Sequence, residues 1–129
     1  MVMRLCQVNT VQKAEPIRRL GIWASNLGHF GKWSVDDTLV VFVGREQVGV
    51  ARVAGPVFCS DDVIWNDDLY AFRVPLVIEA WHEGQEGLSL NRDLRRILIE
   101  KYGVHYGVLL RNSSALPASI KAAVHHALR

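Results

Sequence analysis

Residues 38–53, TLVVFVGREQVGVARV, decide the fold. Their first part, TLVVFVG, is a β-branched run bounded by a glycine, the composition of a strand. Arg45 and Glu46 form a polar turn, and QVGVARV follows as a second strand, so the stretch reads as an antiparallel hairpin. Gly49 and Ala51 are small and fall on one face of that second strand. A glycine inside a strand marks a bend or a close approach by other atoms. Gly55-Pro56 then breaks the strand.

Upstream, residues 3–9 are apolar enough for a first strand. Residues 12–20 carry Ala14, Ile17 and Leu20 at helical spacing, with Gly21 as the stop. Pro16 limits this helix to little more than two turns. Residues 21–37, GIWASNLGHFGKWSVDD, have no period but hold two tryptophans, a phenylalanine and a histidine. Ordering such a segment costs conformational entropy, which a chain spends on covering a core or building a pocket.

Downstream, residues 61–68, DDVIWNDD, form a polar loop around Trp65. Residues 69–80 read as a third long strand, in which Pro75 predicts an edge position or a bulge. Residues 83–87 read as a flexible loop. Asn91 is the expected cap of a helix over 92–102, with Leu94, Ile97 and Leu98 as its stripe and Gly103 as its end. A short extended piece at 106–110 precedes a last helix opened by Pro117, with Ile120, Val124 and Leu128 on one face. Strands joined by short turns argue against a doubly wound parallel sheet and for an α+β or barrel-like fold. With no internal repeat, residues 1–129 read as one domain.

The charge, 15 basic against 13 acidic side chains or +2, does not by itself declare a nucleic-acid binder. Basic residues do cluster, at Arg18 and Arg19 and again at Arg92, Arg95, Arg96 and Lys101. No apolar run reaches the ~20 residues of a membrane span, and the first ten residues lack the pattern of a secretory signal, so a cytoplasmic location without membrane contact is expected. Cys6 and Cys59 form no CxxC pair and read as small buried apolar residues of a reducing compartment.

Enzyme signatures are missing. The sequence has no GxSxG, Walker loop or GxGxxG, and none of His29, His82, His105, His125 and His126 sits in a zinc-binding spacing. The pairs Asp36-Asp37 and Asp67-Asp68 read as turn and strand-end residues. No metal, cofactor or catalytic residue is therefore expected.

Trp23, Trp65 and Tyr70 stand out because they lie in or beside polar loops, although any one of them could simply fill a core. Their strings carry a resemblance. IWASN, then the strand pair TLVVFVG and QVGVARV, then IWNDDLYAFRV resemble the YTH and EVE families of the PUA-like superfamily. In YTH domains an IW-x-S string places a first cage tryptophan. A hairpin with a G-x-A-x-V strand follows, and a W-x4-W-x-x-R string completes the cage. Here that last string reads Trp65, Tyr70 and Arg73, with tyrosine in place of the final tryptophan.

The resemblance implies a PUA-like half-open β-barrel with flanking helices, and a domain that holds a modified, methylated base of DNA or RNA in an aromatic cage. Trp23, Trp65 and Tyr70 would line the cage. The Ala24 carbonyl would accept a hydrogen bond from a methylated amino group, and Asp62 would contact the ring edge, with Ser25 and Asn26 as further edge contacts. Arg18, Arg19, Lys32 and Arg73 are the expected phosphate contacts. A carboxylate at the edge would favour a base with N–H donors, such as adenine or cytosine. EVE-type relatives serve in prokaryotic defence, which suits a prokaryotic or phage origin and a separately encoded nuclease as effector. Two other readings stand beside this one: an ASCH-like hydrolase of modified nucleosides using Asp62 or Lys32, and an interaction module with packed aromatics and no small ligand.

Overall fold

The computed structural model describes residues 2–28, 30 and 32–129. Along the chain run β1 (Met3–Val8), α1 (Val11–Leu20), β2 (Ile22–Ser25), β3 (Thr38–Val43), β4 (Gln47–Val53), β5 (Phe58–Cys59) and β6 (Phe72–His82). The helices α2 (Gly84–Lys101), α3 (Gly107–Asn112) and α4 (Ala118–Ala127) complete it. Among the described residues the strands form one mixed sheet in the order β1-β3-β4-β6-β2, with β5 also on β6. β1 runs parallel to β3, and every other pairing is antiparallel.

The sheet curls because β6 is long and divides its partners. Its first half pairs with β2 and β5, its second half with β4. A register shift between Val50 and Ala51, opposite Ala80 and Ile78, adds a bulge and local twist. The result is an α+β half-barrel whose two edges are β1 and β2. Pro75 sits inside β6 rather than at a sheet edge, and the bulge lies a few residues further on. The proline is tolerated because its carbonyl accepts from Ala54 N–H where β4 has just ended. Its missing N–H would fall on that same side, where no ladder bond is needed.

Alternation along β1, β3 and β4 divides the apolar residues between two layers. Leu5, Val40, Phe42 and Val48 face Leu94 and Leu98 of α2, Leu109 and Leu110 of α3, and Ile120 and Val124 of α4. Cys6, Leu39, Val41, Val43, Ala51 and Val53 face Ile17 of α1, Trp65 and Val74. Gly49 on β4 lies directly beneath the ring of Trp81, the close approach that a strand glycine signals.

Several elements differ from the sequence reading. The expected loop at 83–87 is the first turn of α2, which begins at Gly84. Gly87 passes so close to the carbonyls of His82 and Glu46 that a Cβ there would lie 2.5 and 2.8 Å from their oxygens. Its glycine is a packing requirement of a helix on a sheet, not a mark of flexibility. Asn91 does not cap a helix but lies buried within one. Its amide nitrogen donates to the Gly44 and Gln47 carbonyls, and its oxygen accepts from Arg95. The piece at 106–110 belongs to helix α3, and IWAS, read as irregular, is strand β2. The third long strand starts at Phe72, because Leu69 and Tyr70 remain in the loop. Helix α1 continues through Pro16, whose ring is buried.

The cysteines also part company. Cys6 is buried, and burial pushes its thiol up to about 12, whereas Cys59 is exposed on β5. A thiol-reactive dye at neutral pH is expected to label one cysteine per native chain, and two after denaturation. Two fast thiols in the native protein would contradict the buried position of Cys6.

Candidate functional site

A cleft opens at the seam of the half-barrel, where the edge strands β1 and β2 approach without pairing. Gln7, Val8 and Asn9 come from the end of β1, Lys13 and Ile17 from α1, Trp23 and Ala24 from β2, and Trp65 and Tyr70 from the loop before β6. Its volume, about 160 Å³, is well below the ~300–1,000 Å³ of ordinary small-molecule pockets. It suits one small planar ring system. A wider groove of about 810 Å³ shares Gln7, Asn9, Trp23 and Ala24 with it and continues past Ser25, Leu27, Phe30, Trp33 and Arg111.

Helix α1 aims the first wall. Thr10 caps it by accepting the Lys13 N–H, and Gly21 closes it in the left-handed region at φ 66°. A Cβ at Gly21 would also lie 2.7 Å from the Leu76 carbonyl. The turn leads straight into β2 and brings Trp23 to the seam. Leu76 N–H donates to the Gly21 carbonyl, and the register places Trp23 opposite Val74 and Ala24 opposite Arg73. In an antiparallel pair the bonded positions alternate. Gly21, Trp23 and Ser25 therefore bond to β6, while the N–H and C=O of Ala24 point away from it at the sheet edge.

Arg73 builds the second wall. Its side chain is only 2% exposed, and its guanidinium donates to the backbone carbonyls of Asp62, Leu69 and Tyr70 at 2.5, 3.2 and 3.2 Å. It also lies 5.9 Å from the Trp65 ring centre. Trp65 is nearly buried, and its indole N–H donates to the Lys13 carbonyl. Trp65 and Tyr70 meet edge to face at 5.4 Å and 82°, a favoured aromatic geometry. Tyr70 has φ +50°, an uncommon conformation for a residue with a side chain. Asn26 sustains it: its oxygen accepts the Tyr70 N–H, and its amide nitrogen donates to Asp68 at 2.6 Å.

A short polar chain crosses one side of the cleft. Lys13 donates to the Tyr70 hydroxyl and pairs with Asp67 at 2.6 Å, while the hydroxyl donates to Asp67. Hydrogen bonds to Asp67 and Tyr70 raise the Lys13 ammonium above its ordinary value. Hydrogen bonds from Lys13 and Tyr70 hold the Asp67 carboxyl below its ordinary value. The ammonium's contribution is present below the ordinary lysine value and is lost only above it. The carboxylate's is present above the ordinary carboxylate range and is lost as pH falls through the depressed value. The pair's contribution to native-state stability, read from urea unfolding at constant ionic strength, is thus expected to stay level from about pH 5 to about pH 9 and to weaken below about pH 4. Asp67→Asn should remove that acid limb; an unchanged profile would separate the chain of bonds from stability.

The structure brings together Trp23, Ala24, Trp65 and Tyr70 of the expected residues. Ser25 lines the adjoining groove, and Asn26 clamps the Tyr70 loop instead of lining the cleft. Asp62 is exposed and lies outside the cleft lining; its contribution is the carbonyl that Arg73 holds. The expectation of a phosphate contact at Arg73 is corrected, because the side chain is buried among carbonyls. Arg18 pairs with Glu83 and sits over the Trp81 ring, and Arg19 pairs with Glu15; neither lines the cleft or the groove. Lys32 is exposed, and its carbonyl accepts from Arg4. Of the histidines, His29 lies outside the described residues. Among the described residues no group of three His, Cys, Asp or Glu side chains is placed to hold a metal.

Sequence reasoning missed Gln7, Asn9, Lys13 and Arg111. Arg111 had no signal, since it falls just past the piece read as extended. The cap at Thr10 was the one available hint for the others: it places the end of β1 and the first turn of α1 back to back.

No protein-family model matches the sequence, and a search of curated proteins finds no match. Solved structures do match over nearly the whole chain. The MmI1 YTH domain superposes with a TM-score of 0.66 at 9% identity, covering 99% of this chain and 95% of that one. The Pho92 YTH domain, solved in complex with m6A, gives 0.58 at 19% identity, over 97% of this chain and 81% of that one. The YTH domain of Zygosaccharomyces rouxii MRB1, in complex with N6-methyladenosine RNA, gives 0.56 at 12% identity, over 97% and 84%. The chain has the YTH-domain fold.

Proposed function

We propose that this chain reads a methylated base in RNA, with N6-methyladenine as the ligand. The observation that carries this reading is the arrangement of Trp23, Trp65 and Tyr70 around a seam cleft of about 160 Å³, on a fold shared with two domains solved with that methylated base. Aromatic faces stack on any base, and an apolar wall accommodates a methyl group that a polar wall would not. The outward carbonyl of Ala24 supports an acceptor for the remaining N6–H. Gln7 and Asn9 offer both donors and acceptors, as recognition of an adenine edge requires. A base stacked in a duplex cannot enter such a cleft, so the substrate is single-stranded or the base is turned out of its stack.

A hydrolase on this fold would need a free acid or base at the cleft. Of the residues first considered for that role, Asp62 lies outside the lining and Lys32 lines neither the cleft nor the groove. The ammonium that does reach the cleft, Lys13, is paired with Asp67.

The test is a titration with single-stranded RNA carrying one central adenine or N6-methyladenine, and with the matching DNA and 5-methylcytosine oligonucleotides. One methyl group in an apolar site is worth about 1–3 kcal/mol, roughly a 5- to 150-fold preference. Methylated RNA should show at least the lower end of that range. Equal affinity for methylated and plain RNA would sink the reading.

A further inference from the structure

Helix α2 carries an arginine cluster that the cleft does not use. Arg45, Arg92, Arg95 and Arg96 line a second cleft of about 810 Å³ between the β3–β4 turn, α2 and Tyr106, with Glu100 as its only acidic lining residue. Arg95 is built into the wall, donating to the Gly44 carbonyl at 2.7 Å, to Asn91 and to the Tyr106 hydroxyl. Arg45 and Arg92 are exposed, and neither has a salt-bridge partner among the described residues. Arg96 has only a loose pairing with Asp93 at 3.7 Å. Unpaired guanidinium groups held around a concave surface fit the oxygens of a phosphodiester chain.

Gly44 joins this surface to the seam. Its N–H donates to the Val8 carbonyl at 2.8 Å, next to Asn9 in the aromatic cleft, while its carbonyl receives Asn91 and Arg95 in the basic one. The two clefts are thus the two sides of one turn. We propose that the α2 cleft binds backbone phosphates of the same RNA strand whose methylated base occupies the seam. Arg45 and Arg92 make those contacts as the strand passes over the turn at residues 44–47. This extends the reader assignment and rests on it for the identity of the strand.

The test compares the full chain with the Arg45→Ala/Arg92→Ala double variant, using labelled RNAs of about five and about fifteen nucleotides with one central N6-methyladenine. The short RNA should bind both proteins equally. The long RNA should bind the variant roughly fivefold or more weakly at low salt, and the slope of log affinity against log salt should fall by about 1.4, or ~0.7 for each phosphate no longer neutralised. An unchanged slope and affinity for the long RNA overturns the proposal. So does a protein that binds oligoglutamate through these arginines but no RNA, which would make the cleft a site for an acidic polypeptide. If the long RNA binds with an arginine-dependent slope but methylation makes no difference, the basic cleft stands and the reader assignment falls.

Discussion

Arg73→Ala is expected to lower the stability of the chain by about 3 kcal/mol or more and to abolish base binding even where the fold persists. The side chain is buried and donates to three backbone carbonyls of one loop. Removing it leaves those acceptors without their donor, at ~1–3 kcal/mol for each one that water cannot reach. It also leaves a cavity against Trp65. Arg73→Lys should not rescue the loss, because a single ammonium cannot reproduce a planar fork that reaches three oxygens. Urea unfolding gives the check, as a lower midpoint with an unchanged slope. A variant within about 0.5 kcal/mol of the parent would show that the loop carrying Trp65 and Tyr70 is held by something else.

Trp23→Ala should behave in the opposite way. Trp23 is half-buried on a four-residue edge strand, and although its ring packs at the margin of the core, β2 is also held by backbone pairing to β6. Losing one stacking face costs about 1–3 kcal/mol of binding, roughly 5- to 150-fold in affinity. The fold should tolerate it far better than the loss of Arg73, and Trp23→Phe should recover much of the affinity. Calorimetric titration beside thermal melting separates the two effects. If Trp23→Ala unfolds the chain, the ring is core, and the interaction-module reading with packed aromatics gains. Trp65→Ala is the less clean experiment, since that ring is nearly buried and bonded to Lys13.

The hairpin at β3 and β4 was legible because β-branched runs and a polar turn are local signals. The three aromatics were legible because large rings in polar strings are uncommon. Other features depended on partners distant in sequence. Gly84 and Gly87 look like loop residues until the helix is laid on the sheet. Asn91 looks like a cap until the Gly44 turn arrives to accept its amide. Gln7 and Asn9 are ordinary exposed amides, and they line a cleft only because the curl of β6 brings the first and last strands of the sheet together. The basic residues were visible as clusters, but which of them were already paired was not. Arg18 and Arg19 turned out to have carboxylate partners, whereas among the described residues Arg92, and Arg45 on the turn, have none.

The division of the apolar residues between two layers has a consequence for how such a protein can change. Substitutions among Leu94, Leu98, Ile120 and Val124 act on one face of the sheet, and the cleft rings Trp23, Trp65 and Tyr70 stand on the other. A lineage moving to a hotter or colder habitat could retune its heat tolerance on the first face and leave its recognition unaltered. A second lineage could acquire a new chemical mark by exchanging the exposed amides at the seam, Gln7 and Asn9, while the buried Arg73 and Trp65 stay in place for stability. Sequence divergence between such descendants would be large, and most of it would say nothing about what either of them recognises.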